Sequence, residues 1–541
     1  MSEKSGKNRS FMVGAMIMGA AGLIIKIMGA AFRIPLTNLI GDDGLGYYQT
    51  AYPIYNLFLT ISTAGIPIAI SRMVAERYVY KRPGDAHKIF KVSFRLLLAI
   101  GSVSCLIFFI FADFIAALLQ EPDAALCIRC IAPALFFVPI MSSFRGYFQG
   151  RQNMTPTAVS QLVEQSFRVA LGLLLAWLML DKGKPAAAAA ASSAASIGGF
   201  FGLLVIAGIY FFSKKTIRGE LAEAGEGGLA SESSGGILKE IMQIAIPITI
   251  GAAIMPLFNS IDTAMVRVRL ASIGYGADVT RALYAQLSGM SAPLINLVQI
   301  LITAVCVSLV PVITSAFRRR DFDFMKLNIS LALRYVMMIS APMAIGMSVL
   351  SKPIMLLLYG SNKESAISAA GCLAIHAVGI VFLGLTQVLT SVLQGVGRQM
   401  IPVKNLFIGA LAKVAVSYVL LGVPSINVRG AAVGTTVAYA VAALLNFIYV
   451  VRLTGLKPEY LQIFGKPLLS TSVMAVASYF AYALLSVKFG NTLSVIGAIC
   501  AGAAVYVIMV FLSGSVTASE LEAFPKGAKI ARVLRRLHLV K

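Results

Sequence analysis

The chain has 541 residues, of which 58% are hydrophobic and 13% are charged, and its mean hydropathy is +0.83. Because a soluble domain has about 45–50% apolar and about 25% charged residues, this composition excludes a soluble globular protein and indicates that the bilayer is the solvent for most of the chain. The net charge of +23 is explained by Lys and Arg beside an anionic leaflet, so we expect no nucleic-acid partner.

A series of apolar stretches, each long enough to span a bilayer as a helix of about 20 residues, follows along the chain. They lie at 11–39, 47–71, 92–119, 124–147, 158–180, 186–212, 240–266, 283–313, 327–350, 366–394, 402–422, 429–451, 467–487 and 492–513. The sequence therefore predicts an all-α polytopic membrane protein with about fourteen transmembrane helices. The first stretch is longer than the apolar core of a signal peptide, and we predict that it is retained as a helix.

Two segments between and after these stretches differ in composition. Residues 213–239 are rich in Gly, Ser and Glu and predict a flexible cytoplasmic linker. The tail at 514–541 has apolar residues at helical spacing with Lys and Arg between them. This pattern predicts a basic amphipathic helix on the cytoplasmic surface.

The distribution of Lys and Arg predicts the orientation of the chain. With the N-terminus inside, the inside segments hold about three times as many Lys and Arg as the outside loops, and the bias alternates from loop to loop. We therefore expect a multi-pass protein of the bacterial cytoplasmic membrane with both termini inside.

The two halves of the chain share short motifs in the same order. Pro-Leu-x-Asn at 35–38 recurs at 256–259, and Gln-Gly at 149–150 recurs at 394–395. Six predicted helices precede the start of the second repeat. Because six is an even number, the two repeats have the same orientation, as in transporters that alternate access between two lobes. The predicted domains are an N-terminal six-helix lobe at 1–212, the linker at 213–239, a C-terminal six-helix lobe at 240–453, two accessory helices at 467–513 and the tail at 514–541.

Three motifs carry a resemblance to a known family. They are Ile-Gly-x-x-Gly-Leu-Gly-Tyr-Tyr-Gln at 40–49, Gly-Ile-Pro-Ile-Ala-Ile-Ser-Arg at 65–72, and Phe-Gln-Gly at 148–150 followed by Pro156. With the two-lobe pattern, they resemble the MOP superfamily of exporters, in its polysaccharide transporter and stage V sporulation protein B branch. That branch lies close to the MurJ-type lipid II flippases.

The resemblance implies an alternating-access flippase that exports an undecaprenyl-pyrophosphate-linked glycan precursor, with lipid II as the leading candidate, for peptidoglycan or spore cortex synthesis. The implied partners are this anionic glycan lipid and membrane lipids, without a cofactor, and we expect a monomer. The chain departs from the lipid II flippase pattern at Asn56, Leu57 and Phe58, where that pattern has basic residues. Some relatives bind sodium through carboxylates of helices 7 and 11, but helix 11 has none here.

Charged residues inside spanning segments are candidates for function because each costs about 2.5–3.5 kcal/mol at mid-bilayer. Lys26 and Arg33 are seven residues apart and share one face of helix 1. On a cavity wall they would attract a pyrophosphate, which Arg binds through two donors. The alternative is that Arg33 extends to the outer headgroups.

Three further cations fall inside predicted helices, namely Arg168, Arg334 and Lys413. Together with Lys26 and Arg33 they form the predicted substrate-binding set. Glu164 is four residues before Arg168 and can pair with it directly, either as a static ion pair or as a gate that breaks during transport.

Helix 7 and the outside loop that follows it carry a second charged group. Asp262 and Arg269 are seven residues apart on one face, and Arg267, Arg269 and Arg281 make this loop unusually basic. We consider Asp262, Arg267 and Arg269, with Glu164, as gating or ion-coupling candidates. The loop cations can form a phosphate exit or contact lipid headgroups.

Three other functions remain open at this point. A transporter of another lipid-linked polysaccharide repeat unit would need the same cations, whereas a multidrug or cation antiporter of the same superfamily would need carboxylates in the lobes. A membrane enzyme would need a large outside loop or a nucleophile–base pair, and we find neither. The sequence predicts no catalytic residue and no metal site, because the six cysteines and three histidines form no ligand cluster.

Overall fold

The computed structural model describes residues 2–225 and 231–516, and all regular secondary structure in this part of the chain is helical. The prediction of an all-α polytopic protein is therefore confirmed. The predicted surface helix of the tail falls almost entirely on residues 517–541, outside the described part.

The chain divides into two compact units, Met1–Ala285 and Gln286–Lys541. The helices described in the first unit are α1 Ser2–Thr63, α2 Ile66–Val79, α3 Pro83–Ile110, α4 Ala112–Leu118, α5 Ala125–Ile131, α6 Ala134–Gly150, α7 Thr155–Leu178, α8 Lys184–Glu223, α9 Ser234–Ser272 and α10 Ala277–Ala285. Those of the second unit are α11 Ala292–Arg318, α12 Phe322–Val349, α13 Ser351–Leu358, α14 Lys363–Gly395, α15 Met400–Leu421, α16 Arg429–Thr454, α17 Lys466–Ser486 and α18 Asn491–Leu512.

Among the described residues, 12 helical segments are long and apolar enough to cross a membrane. The count of fourteen differs for two reasons. The segment Met18–Val79 contains the second predicted span and most of the first. The helix α7 has 24 residues but is not among the segments that qualify. The number fourteen stays a prediction.

The first two predicted spans are joined by a kink at Gly41 inside α1. The backbone of Gly41 has φ of 72° and ψ of 178°, a conformation that residues with a Cβ rarely adopt. The chain therefore bends at the first Gly of the Gly-x-x-Gly-Leu-Gly motif, and the halves of α1 before and after the bend serve as two separate helices.

The predicted linker at 213–239 is largely helical. The helix α8 continues to Glu223 and α9 begins at Ser234, whose preceding residue Ser233 caps it by accepting a hydrogen bond from the Gly236 N–H. Glu232 of this segment and Glu240 just after it are both bound by an arginine. Arg77 of α2 pairs with Glu232 at 2.9 Å and with Glu240 at 2.6 Å.

The division between the units also lies later than the predicted linker. The helix α9 packs against α1, α2 and α3 and belongs to the first unit. The predicted lobe boundary between 212 and 240 therefore differs from the boundary after Ala285. Sequence composition marks a change of polarity, whereas the packing of an apolar helix depends on which neighbours cover it.

The repeated Gln-Gly motif makes the same kind of contact in each unit. A Cβ on Gly150 would lie 2.6 Å from the Val74 side chain of α2, and a Cβ on Gly395 would lie 2.9 Å from the Ile313 side chain of α11. Both distances are too short for a side chain. In each unit a glycine at the end of a helix thus permits close packing, as small residues do between membrane helices.

The two helices predicted as accessory, α17 and α18, pack against α12 and α13 within the second unit. The Tyr506 hydroxyl of α18 donates a hydrogen bond to the Met338 carbonyl at 2.8 Å, and the Asn491 amide donates to the Pro353 carbonyl at 3.1 Å. These bonds satisfy polar groups that a lipid environment would leave unpaired.

Candidate functional site

A stripe of tyrosines runs along α1 after the kink. Tyr48, Tyr52 and Tyr55 are spaced four and three residues apart, which places them on one face of the helix. The Tyr48 and Tyr52 rings stack with centroids 5.6 Å apart, and the Tyr52 and Tyr55 centroids are 5.8 Å apart. The stripe presents hydroxyl groups and aromatic faces together.

Two guanidinium groups contact the middle ring of this stripe. The Arg33 Cζ, from the first half of α1, lies 5.4 Å from the Tyr52 centroid, and the Arg168 Cζ of α7 lies 5.3 Å from it. Both distances are in the range of cation–π attraction. We call Arg33, Tyr52 and Arg168 the tyrosine cluster. The structure thus brings together two of the five cations predicted to bind substrate.

The predicted pair between Glu164 and Arg168 does not form. The Glu164 carboxylate instead accepts a hydrogen bond at 2.9 Å from Arg145 of α6, whose guanidinium also donates to Ser160 at 3.0 Å. Arg145 is 9% exposed, so this ion pair is largely removed from water. Because Arg145 neutralises Glu164, the negative charge nearest to Arg168 on α7 is already balanced.

Lys26 lies on the same helix as Arg33, seven residues earlier and therefore nearly on the same face. Its side chain is exposed, whereas Arg33 and Arg168 are half-buried. The positive charge of the first half of α1 thus continues beyond the tyrosine cluster. The predicted role of Lys26 in binding substrate stays a prediction.

A second arginine group surrounds a buried carboxylate. Glu121, just after α4, accepts hydrogen bonds from Arg267 of α9 at 2.8 Å and from Arg281 of α10 at 2.7 Å. All three side chains are nearly inaccessible, with exposed fractions of 2% for Arg267, 8% for Arg281 and 5% for Glu121. We call these three residues the glutamate network.

Neighbouring groups add further contacts to the glutamate network. Arg267 also donates to the Thr50 hydroxyl of α1, and Arg281 also pairs with Asp278. The Arg281 guanidinium lies 4.3 Å from the Tyr47 ring centroid. The network therefore ties α9 and α10 to α1 and to the segment after α4. The sequence suggested that Arg267 and Arg281 form a phosphate exit or contact lipid headgroups. In the structure, both guanidiniums are buried and bind a carboxylate instead.

The other two gating candidates of α9 are half-buried. Asp262 and Arg269 lie seven residues apart on this helix and so share a face. Their predicted role in gating or ion coupling stays a prediction.

Arg334 and Lys413 belong to the second unit and lie on different helices, α12 and α15. Both are buried, with exposed fractions of 8% and 4%. Arg334 lines a cleft of about 510 Å³ whose other polar lining residues include Lys326, Ser330 and Lys457. These two cations are therefore not part of the tyrosine cluster.

Within the described residues, no group of three or more His, Cys, Asp or Glu side chains is placed to hold a metal ion. The six cysteines, all in that part of the chain, are free. The candidate site thus consists of cations, aromatic rings and ion pairs, which can bind and orient an anion.

Several residues of these groups were not found from the sequence. The tyrosine stripe had a usable signal in the four- and three-residue spacing of Tyr48, Tyr52 and Tyr55. Glu121 and Arg145 had none, because each forms its ion pair with a residue 19 or more positions away in the chain.

A family model described as "Polysaccharide biosynthesis protein" matches residues 11–317, which is more than half of the chain. The chain belongs to this polysaccharide biosynthesis family. A second model, MatE, matches residues 247–419. The first match covers the helices that carry the tyrosine cluster and the glutamate network.

Curated relatives of this family member come from Bacillus subtilis (strain 168). The chain is 29% identical to the "Uncharacterized membrane protein YabM", over 99% of both chains, and 29% identical to the "Lipid II flippase MurJ", over 82% of both chains. It is 26% identical to "Stage V sporulation protein B", covering 96% of this chain and 98% of that one.

Two solved structures share the fold of this family member. An inward-facing multidrug resistance MATE family transporter of the MOP superfamily matches with a TM-score of 0.68 and 15% identity, covering 80% of this chain and 94% of that one. Lipid II flippase MurJ in an inward closed conformation matches with a TM-score of 0.67 and 14% identity, covering 91% and 98%.

The comparisons confirm the resemblance to polysaccharide transporters of the MOP superfamily close to MurJ. The relatives and structural neighbours are transporters and flippases, which agrees with the prediction that this chain is a transporter and not an enzyme. Together with the apolar helices, they also confirm a multi-pass bacterial membrane protein.

Proposed function

We propose that this protein is a flippase that exports a lipid-linked glycan precursor with a pyrophosphate link, lipid II being the leading candidate. The observation that carries the proposal is the tyrosine cluster, where Arg33 and Arg168 flank Tyr52. A guanidinium that packs on an aromatic ring remains positively charged and can bind the phosphates of a headgroup.

The charge balance around the cluster supports an anionic cargo. The one carboxylate of α7, Glu164, is bound to Arg145. A cationic cargo would need a carboxylate at this place, whereas the tyrosine cluster consists of two guanidiniums and an aromatic ring. The hydroxyls of the tyrosine stripe can hydrogen-bond to sugars or phosphate.

In this proposal access alternates between the two sides of the membrane, as it does in parallel-repeat transporters. Lys26 extends the positive charge along α1, and Lys413 is a further candidate cation. The glutamate network is the candidate gate. Both termini lie on the cytoplasmic side, and the protein acts as a monomer. The proposal of an undecaprenyl carrier follows from the family resemblance. The proposed destination of the precursor is peptidoglycan or the spore cortex.

One observation favours a second function, a multidrug or cation antiporter. The MatE model matches residues 247–419, and a MATE transporter is among the structural neighbours. The two functions make opposite demands on charge. A flippase needs Arg33 and Arg168, whereas an antiporter needs a carboxylate such as Asp262.

The proposal is tested by depleting the protein and measuring how much lipid II reaches the outer leaflet of intact cells. We expect outer-leaflet lipid II to fall, wild type to restore it, and Arg33→Ala and Arg168→Ala to fail at equal expression. Arg95→Ala, an exposed arginine of α3, is the matched control and should restore it fully. Unchanged lipid II with a rise in drug accumulation would replace the flippase by the antiporter.

A further inference from the structure

The second unit contains a basic cleft between α12 and the segment that joins α16 to α17. Lys326, Ser330 and Arg334 follow one another at four-residue intervals on α12, so they share the face that lines the cleft. Lys457 and Gln462 line it from the joining segment. The cleft has a volume of about 510 Å³, which is enough for a lipid headgroup.

The charge of the cleft is positive. Its charged lining residues are the three cations Lys326, Arg334 and Lys457 and one carboxylate, Glu459. Lys326 also lies 3.6 Å from Asp323, but the Asp323 side chain is 99% exposed, so this pair is weak. Arg334 is buried with its guanidinium 5.8 Å from the Tyr335 ring centroid. The cleft therefore favours an anion.

The Gln462 side chain in the cleft has an acceptor that needs a hydrogen-bond donor. The Gln462 side-chain oxygen is buried and has no hydrogen-bond partner among the residues that the structure describes. Leaving such an acceptor unpaired is unfavourable. Gln462 lies in the π-helical turn Leu461–Gly465, a distortion frequent at functional sites. A ligand with a hydroxyl group beside its phosphate would satisfy both the oxygen and the cations.

Apolar side chains around the cleft are exposed. Leu327 of α12 lines it. Tyr460 and Leu461 directly precede the lining residue Gln462 in the joining segment, and all three apolar side chains are exposed. Leucines are suited to acyl chains, and Tyr favours the level of the headgroups. By the predicted orientation, this end of α12 lies at the inner leaflet.

We propose that this cleft binds an anionic glycerophospholipid of the inner leaflet whose headgroup carries a hydroxyl, such as phosphatidylglycerol. The phosphate contacts Lys326, Arg334 and Lys457, and the headgroup hydroxyl donates to Gln462. Basic pockets between membrane helices recognise lipid headgroups in this way. This role goes beyond transport and does not depend on which lipid-linked glycan is moved, and it assigns Arg334 to a lipid site.

The proposal is tested by native mass spectrometry of the purified full-length protein with phosphatidylglycerol and phosphatidylcholine of equal chain length. Wild type should retain phosphatidylglycerol selectively. The double variant Lys326→Gln/Lys457→Gln should bind it about twenty-five-fold more weakly, because each basic residue near the surface contributes about fivefold. The matched control, Lys352→Gln/Lys488→Gln, alters two exposed lysines of the same unit and should bind as wild type.

A second variant tests the hydroxyl contact. Gln462→Leu should weaken binding of phosphatidylglycerol but not of phosphatidic acid, which has no headgroup hydroxyl. Equal retention of phosphatidylglycerol by both double variants would overturn the proposal. Displacement of phosphatidylglycerol by undecaprenyl pyrophosphate would also overturn it, because the cleft would then belong to the transported lipid.

Discussion

The first unit contains two groups of arginines whose positive charges are stabilised in different ways. In the glutamate network, Arg267 and Arg281 converge on one buried carboxylate at 2.8 and 2.7 Å. In the tyrosine cluster, two guanidiniums lie on the faces of one aromatic ring at 5.4 and 5.3 Å. The same residue type is bound by a full negative charge in one region and by a ring quadrupole in the other.

The difference corresponds to two roles of arginine, which are stabilising the packing of helices and binding a ligand. A carboxylate within hydrogen-bond distance compensates the desolvation of a guanidinium, and removing it leaves a buried charge unpaired. An aromatic face attracts the cation more weakly than a carboxylate does. We infer that the glutamate network fixes helices in one arrangement, whereas the tyrosine cluster offers charge to an anionic ligand.

The largest effect on stability is expected at the carboxylate of the network. Glu121→Gln leaves Arg267 and Arg281 buried with a neutral partner, so the free energy of unfolding should fall by about 3–5 kcal/mol. Thermal unfolding of the purified protein measures this change. Asp43→Asn is the matched control, since its pair with Lys184 is 35% and 53% exposed and should contribute less than about 1 kcal/mol. Equal losses in both variants would contradict the comparison.

The tyrosine cluster is expected to show the opposite pattern. Arg168→Ala should reduce glycan-lipid transport about tenfold or more, because it removes charged hydrogen bonds to the cargo, while the melting temperature changes little. Arg168→Lys should restore part of the activity, since Lys keeps the charge but cannot bind phosphate through two donors. Translocation in proteoliposomes is the measurement. A large fall in the melting temperature of Arg168→Ala that accompanies the loss of transport would show that Arg168 is structural.

A smaller effect is expected at Glu164, whose partner is Arg145. Glu164→Gln should lower the free energy of unfolding by about 1–3 kcal/mol, the cost of weakening a charged hydrogen bond, and should leave transport near wild type. Unfolding and translocation measured on the same preparation give both numbers. Loss of transport at unchanged stability would restore Glu164 as a gate residue.

The smallest effect concerns the aromatic ring between the two guanidiniums. Tyr52→Leu removes both cation–π contacts, which are worth about 0.5–2 kcal/mol, so a modest fall in melting temperature and in cargo affinity is expected. Tyr52→Phe keeps the ring and loses only the hydroxyl, which hydrogen-bonds to Arg168, so its effect should lie between those of wild type and Tyr52→Leu. If Phe proves as damaging as Leu, the hydroxyl rather than the ring face is what matters at this position.

The sequence predicted the membrane class, the apolar helices and the family correctly, because hydropathy and motif spacing are local properties. It also selected Arg33 and Arg168, since charges within apolar stretches stand out. It paired Glu164 with Arg168 by helical spacing, but Arg145 of another helix competed for the carboxylate. It missed Glu121, which reads as an ordinary loop residue until α9 and α10 are packed against it.

The predicted linker shows a related effect. The Gly, Ser and Glu of residues 213–239 suggested a free segment, but Glu232 binds Arg77, and α9 packs with the first unit. The lobe boundary itself stays a prediction. Partners distant in sequence decide both cases, and local patterns do not contain them.

The most direct test of the central claim is the affinity of the purified protein for undecaprenyl pyrophosphate and for uncharged undecaprenol. Tight binding of the pyrophosphate alone is predicted, with a loss of about tenfold or more in Arg33→Ala and in Arg168→Ala and none in Arg95→Ala. Equal affinity for undecaprenol, or unchanged pyrophosphate binding in both variants, would contradict the account.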